Sequence, residues 1–269
     1  MPVARVYPLQ PERDALLPAF LGRAAHAAVY RALHAVDPAL ATRLHEATGP
    51  RPFTVSVLEE GIRSGRRETP ARAGEPLHLR VTLLEDDLLP LIEQALAPGT
   101  ALELGHLRST VGQPAAEHPL AGQVTYEELL AMRLFPGVAL PSRLRLRFLS
   151  PTTFHQRDRH LPVPLPRLVF ASLTERWNAF APVTLAPEIV QGTEDLLVGA
   201  YELRTRLVDT GQGKVVGFVG WCEYRLEAVE PAVAAAAATL ATFSFYAGVG
   251  HKTAMGLGQT VLVPRRGPP

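Results

Sequence analysis

His26, Tyr30 and His34 recur at every fourth position of the stretch "HAAVYRALH", and His45 follows in "TRLHE". On a helix this spacing stacks the first three side chains on one face. The apolar set Leu17, Leu21, Ala25, Ala28, Ala32 and Val36 predicts a helix from Leu16 to about Val36, with that histidine face turned away from its buried stripe. Asp37-Pro38 then ends it and starts another, since proline is tolerated in a first turn. His45 falls near the end of this second helix, where the macrodipole favours an imidazolium. Two imidazoles can divide general base and general acid work near neutral pH. Most histidines on solvated helix faces have no role, so the pair needs support from elsewhere. No HExxH pattern or close carboxylate–histidine cluster suggests a metal centre, and no GxSxG elbow suggests a serine hydrolase.

The stretch "YAGVGHKTAMGLGQ" is a second candidate, with Gly248 and Gly250 on one side of His251, Lys252 and Thr253, and Gly256 and Gly258 on the other. A Walker A loop would need Lys252 directly after a glycine and a helix after it, but His251 intervenes and a strand follows. A dinucleotide fingerprint would need a βαβ unit downstream. What remains is a backbone that can approach a ligand closely, an anion-binding nest of N–H groups, and a point charge on Lys252. A tight helix-to-strand connection explains one or two of the glycines more easily than four. The third candidate is the strand "SRLRLRF", whose alternation turns Arg143, Arg145 and Arg147 to one face and Leu144, Leu146 and Phe148 to the other. Such a face can hold a phosphate backbone or simply be solvated.

These residues need a scaffold, and the pattern supplies one twice. "RVYPLQ", the two helices, "FTVSVL", an exposed arginine-rich loop "GIRSGRRETPARAGEP", "LHLRVTLL", the helix "DDLLPLIEQALAPG" and "ALELGHLRSTVG" read as βαββαβ. "SRLRLRFLS", the helix in "PLPRLVFASLTERWNAF", a hairpin of "LVGAYELRTRLV" with "KVVGFVGWCEYRL" across "DTGQG", the helix "EPAVAAAAATLATFSFYAG" and "GQTVLVP" repeat that order. The expected class is α+β, two tandem ferredoxin-like (RRM-like) βαββαβ domains over 1–134 and 135–269.

Composition narrows the setting. Apolar residues make up 47% of the 269 and charged residues 20%, enough for a sizeable core, and no run approaches the roughly 18 apolar residues of a membrane span. The first residues lack the apolar core of a signal peptide, and Cys222 is the one cysteine, so no internal disulfide framework arises. The expectation is a cytoplasmic protein with no membrane partner. The net charge of +1 argues for no particular partner. Lys214 and Lys252 are the only lysines among 27 basic residues. Arginine's planar fork suits phosphate, although a GC-rich coding sequence produces the same bias.

Several stretches together resemble the CRISPR precursor-RNA processing endoribonucleases of the RAMP superfamily: "DPALATRLHE" with "PRPFTVSVL", "FLSPTTF", "PLPRLVFASLTERWNAF", "VGWCEYRL" and above all "YAGVGHKTAMGLGQ". The resemblance covers most of the chain. It implies tandem ferredoxin-like domains and metal-independent cleavage of CRISPR repeat RNA with no cofactor. The 2′-hydroxyl would attack the adjacent phosphate, the 5′-oxygen would leave, and a 2′,3′-cyclic phosphate would remain. A histidine from the first helical region is usual in that family. His45 matches by motif and His26 by its place on the first helix, so the pair is assigned to acid–base catalysis with the roles undivided. Tyr30 is a candidate helper. Arg23, Arg143, Arg145, Arg147 and the terminal loop (Gly248, Gly250, His251, Lys252, Thr253, Gly256, Gly258) are candidate RNA contacts. A homodimer and a CRISPR effector complex are the further partners the resemblance allows. The alternative is a RAMP-type subunit that holds CRISPR RNA without cutting it.

Overall fold

The computed structural model describes residues 1–58, 68–134, 140–211, 213–227 and 229–263. These residues divide into two compact units. One comprises Met1–Gln123 with two short later segments, Asp209–Gly213 and Ala254–Gly256, and the other comprises the rest.

The first unit contains β1 (Val3–Pro11), β2 (Ala15–Pro18), α1 (Gly22–Val36), α2 (Pro38–Glu46), β3 (Phe53–Leu58), β4 (Glu68–Ala71), β5 (Leu77–Leu83), α3 (Leu88–Ala95), β6 (Ala101–Leu104), β7 (Leu107–Val111) and β8 (Gly122–Gln123). Its main sheet runs β3-β5-β1-β7-β6, with β8 also on β1, and every pairing is antiparallel. The first strand of the repeat thus lies between the third and the last, which is the split βαβ arrangement. Ala25, Ala28, Val29 and Leu33 of α1, Leu40 and Leu44 of α2, and Ile92 of α3 bury against Tyr7, Val55, Leu79 and Val81 of the sheet. The Asp37 carboxylate caps α2 by accepting from Leu40 N–H at 2.8 Å, and Pro38 occupies the first turn. A cap of this kind is worth about 1 kcal/mol, and it sets the direction in which α2 carries His45.

The second unit contains α4 (Tyr126–Leu134), β9 (Arg143–Thr152), β10 (Phe154–Gln156), β11 (Arg159–Leu161), α5 (Pro166–Phe180), α6 (Pro187–Glu194), β12 (Leu197–Asp209), β13 (Lys214–Arg225), α7 (Pro231–Ala247) and β14 (Thr260–Val263). Its sheet order, β12-β13-β9-β14, again places the first strand between the third and the last. Both halves of the expected tandem ferredoxin-like architecture are therefore present. The alanine-rich α7 is apolar around its whole circumference and is buried along nearly its whole length. It packs beside α4 and α5, where Trp177 meets Phe243 and Tyr126 edge-on, at 5.2 and 5.4 Å between ring centroids. Among the described residues, no helix is long and apolar enough to cross a membrane.

The structure departs from the sequence pattern in several places. The first helix begins at Gly22 rather than Leu16, because Pro18 biases Leu17 toward extended backbone and Ala15–Pro18 pairs as a strand with Glu68–Ala71. That pairing also gives structure to part of the stretch read as an arginine-rich loop, whose residues 61–67 lie outside the described residues. "ALELGHLRSTV" folds back on itself as the β6–β7 hairpin. The β10–β11 hairpin and α6 had no counterpart in the pattern.

Candidate active site

The buried stripe of α1 runs through Ala25, Ala28, Val29 and Leu33, so His26 falls at its margin and not on the opposite, solvated face. Tyr30, one turn on, is also half-buried and packs against the core. The start of β3 covers this flank. The His26 ring lies 4.6 Å from Tyr30 and 6.1 Å from Phe53, and Tyr30 lies 5.6 Å from Phe53 and 5.8 Å from His45, all between ring centroids. Tyr30 thus touches both histidines. His34, on the same helix, is exposed. The expectation that α1 and α2 bring His26, Tyr30 and His45 together is consistent with this geometry, but the expected exposure of His26 and Tyr30 is corrected.

One backbone contact fixes the chemistry of His26. Its Nδ1 lies 2.9 Å from the carbonyl oxygen of Ala254. A carbonyl can only accept, so Nδ1 carries the proton, and the neutral ring presents the Nε2 lone pair. Burial lowers the His26 pKa below its ordinary value, the hydrogen bond to Ala254 opposes this, and the His45 and Arg51 charges add to the lowering. The result is an imidazole kept in its basic, uncharged form. Burial likewise pushes the Tyr30 phenol up, with Arg51 pulling the other way. Arg51 itself is held by the last carbonyls of α2: its guanidinium donates to His45 O at 3.1 Å and to Ala47 O. Sequence reasoning missed Arg51, which sits in a turn with no periodic signal, and it missed the Ala254 carbonyl entirely. Arg23 is exposed on the first turn of α1, with its guanidinium against Gly211, where a Cβ would stand 2.1 Å from Nη1.

The terminal glycine loop is spent largely on its own fold. A Cβ on Gly250 would fall 2.4 Å from Thr153 O, and one on Gly258 would fall 2.0 Å from Val249 O, and both residues have positive φ. Gly248 and Gly256 are buried as well and share the positive φ, so all four glycines answer to the connection itself. The amides are committed too. Gly248 N donates to Ser244 O, Gly250 N to Ser172 Oγ, His251 N to Thr153 O and Gly258 N to Pro151 O. Arg176, reaching up from α5, donates to Gly250 O at 2.7 Å and to Thr253 Oγ1 at 3.3 Å, and burial lowers its pKa to about 10. The expectation of an open backbone nest on Gly248, Gly250, Gly256 and Gly258, with Thr253 beside it, is corrected: these groups are buried or hydrogen-bonded inside the protein. His251 and Lys252 are the partly exposed members of the set.

On β9, Arg143, Arg145 and Arg147 are exposed and the intervening Leu144, Leu146 and Phe148 are buried, as the alternation predicts. The three arginines are not equivalent. Arg143 and Arg145 bridge to Glu223 on the neighbouring β13 at 3.2 and 2.9 Å. Arg145 also lies over the Trp221 ring at 4.2 Å. Arg147 has no ion pair among the described residues.

Residues 1–131 match the family model described as CRISPR Cas6 N-terminal domain, and residues 146–260 match that of CRISPR-associated endoribonuclease Cas6. The CRISPR-associated endoribonuclease Cas6 of Mycobacterium tuberculosis (strain CDC 1551 / Oshkosh) is 28% identical over 135 residues, 49% of this chain and 42% of that protein. The matched stretch therefore spans less than half of that curated relative. Among solved structures, a product complex of Cas6 from Thermus thermophilus is 32% identical with a TM-score of 0.81, covering 98% of this chain and 100% of that one. A second Cas6 product complex is 30% identical with a TM-score of 0.79, covering 98% and 99%.

Proposed function

Because the chain belongs to the CRISPR-associated endoribonuclease Cas6 family, we propose that it cuts CRISPR repeat RNA in precursor transcripts to yield guide RNAs. The observation that carries the mechanism is the His26–Ala254 hydrogen bond, which leaves Nε2 of a neutral imidazole as proton acceptor. In this reading His26 takes the proton of the 2′-hydroxyl, and the O2′ attacks the adjacent phosphorus. The bond from phosphorus to O5′ breaks, and His45, near the C-terminal end of α2, gives a proton to the departing oxygen. The products are a 2′,3′-cyclic phosphate and a 5′-hydroxyl. Arg51 and Arg23 supply positive charge as the phosphorane forms, and Tyr30 holds both histidines in place. His251, Lys252 and the β9 arginines grip the RNA backbone.

The solved product complexes of related Cas6 proteins support the reading that an RNA product stays on the protein. A second copy of the chain and a cytoplasmic CRISPR effector complex are partners under the same reading. The test is incubation with repeat RNA in EDTA. A cyclic-phosphate end is the expected result, and tight binding without scission would instead identify an RNA-holding subunit.

A further inference from the structure

Three histidines of the second unit form a cluster of their own. In the β10–β11 hairpin His155 pairs directly opposite His160, and their rings lie 5.3 Å apart. His251, from the loop after α7, stacks on His155 at 5.3 Å and stands 5.8 Å from His160. The loop is locked there by the bond from His251 N to Thr153 O at 2.8 Å. Among the described residues, the non-glycine positions with positive φ are Arg157, Asp158 and Lys252, all in these two segments. Backbone of that kind persists only where its surroundings enforce it, and it concentrates at functional sites. Arg157, Arg159 and Arg167 line an open concavity on the same hairpin and the start of α5.

Among the described residues, the charges that act on His251 and His160 share one sign. His251 feels Lys252, His155, His160 and Arg176; His160 feels His155 and Lys252. Asp158, in the hairpin turn, is the nearby acid in sequence. Burial and these neighbours hold His251 down to about 4 and keep His160 below the ordinary imidazole value. His160 and His251, held uncharged beside the fixed positive charge of Lys252, are the complement of a bridging anion.

We propose that His155, His160, His251 and Lys252 form a phosphate site for the RNA backbone, and that filling it draws protons onto the imidazoles. This rests on RNA being the substrate. A phosphodiester seated there cancels the repulsion, so a ring that was neutral becomes a charged donor to the phosphate oxygen. By linkage the reverse also holds: protonating the cluster tightens RNA binding, so affinity through this site rises as pH falls.

The probe is a short fluorescent oligouridine, titrated into the full chain at constant ionic strength between about pH 8 and about pH 5.5. The association constant is expected to rise at least about tenfold across this range. A His155→Gln, His160→Gln, His251→Gln variant is expected to lose that rise, whatever its affinity at the alkaline end. A His26→Asn, His45→Asn variant is expected to keep the rise, which separates this site from the cleavage reading. Imidazole NMR of the wild-type chain gives a second readout that needs no variant to fold. The His160 and His251 pKa values should climb by about one unit or more on adding the oligouridine. A flat pH dependence in the wild type, an undiminished rise in the triple variant, or imidazoles that do not move on binding would each overturn the proposal. A chain that shows the rise but never cuts repeat RNA would leave this site standing and remove the cleavage reading instead.

Discussion

Nδ1 of His26 donates to the carbonyl oxygen of Ala254 at 2.9 Å, across 228 positions of sequence. The contact joins α1 to the segment Ala254–Gly256, which packs within the first unit. Gly22, one turn earlier on the helix, permits it: a Cβ there would fall 1.9 Å from Met255 O. A helix that begins with glycine lets that backbone lie directly against it, and the carbonyl then selects the tautomer of His26.

The pH dependence of cleavage should carry the signature of this environment. Burial, His45 and Arg51 lower the His26 pKa, so the neutral base persists as pH falls below the ordinary imidazole value. The acid limb of the single-turnover rate should therefore have its midpoint below 6.5, with the rate lost as pH drops through it. Replacing Arg51 with Gln removes one of the lowering charges and should move that limb to higher pH, whatever it does to the plateau. A limb that stays fixed in Arg51→Gln would show that Arg51 does not act on His26.

His26→Ala should reduce the cleavage rate by about a hundredfold or more, the range in which a positioned base contributes. Binding of uncleavable repeat RNA should change far less, because the grip is assigned to the second unit. His45→Ala should behave alike, and rate constants with binding isotherms on the same RNA check both. Full cutting by both single variants would remove the acid–base assignment.

Much of this was legible in the letters, and what was not has physical causes. The alternation of Arg143–Phe148 and the Asp37-Pro38 break are local signals, and each element appeared where they pointed. His26 and His45 become a pair through the family resemblance. The helix phase alone sets His26 on the solvated face, because its place at the margin of the apolar stripe depends on the cover given by Phe53. The tautomer of His26 was not legible, because its determinant is a backbone carbonyl that no side chain encodes. The terminal glycines misled in a definite way. Their pattern suggests approach by a ligand, yet what approaches them is the chain's own backbone at Thr153 and Val249. His155 and His160 went unnoticed because a two-residue turn at Arg157 and Asp158, without glycine or asparagine, gives no hairpin signal.

The glycine loop should be costly to alter for reasons of folding. Gly258→Ala places a Cβ 2.0 Å from Val249 O at a φ of 69°, against backbone that cannot move aside. It should destabilise the chain by about 2–4 kcal/mol. Gly105→Ala is the control, since that residue has a φ of 65° and nothing within 4 Å, and it should cost about 1 kcal/mol. Urea midpoints with unchanged slopes measure both. Equal losses would mean that conformation alone, and not the backbone approach, demands glycine at 258.

The three β9 arginines should separate in their dependence on salt. Arg147 has no ion pair among the described residues, so a phosphate that meets it gains a contact and loses none. Arg143 is engaged by Glu223 at 3.2 Å and Glu227 at 3.9 Å, and Arg145 by Glu223 at 2.9 Å. RNA must compete with those carboxylates for both. Arg147→Ala should therefore weaken RNA binding and lower the slope of log affinity against log salt by about one. Arg143→Ala should change that slope less, and Glu223→Gln should strengthen binding by releasing both guanidiniums. Binding isotherms of uncleavable RNA across a salt series give all three slopes. Identical slopes for the Arg143 and Arg147 variants would show that Glu223 and Glu227 exert no control over this face.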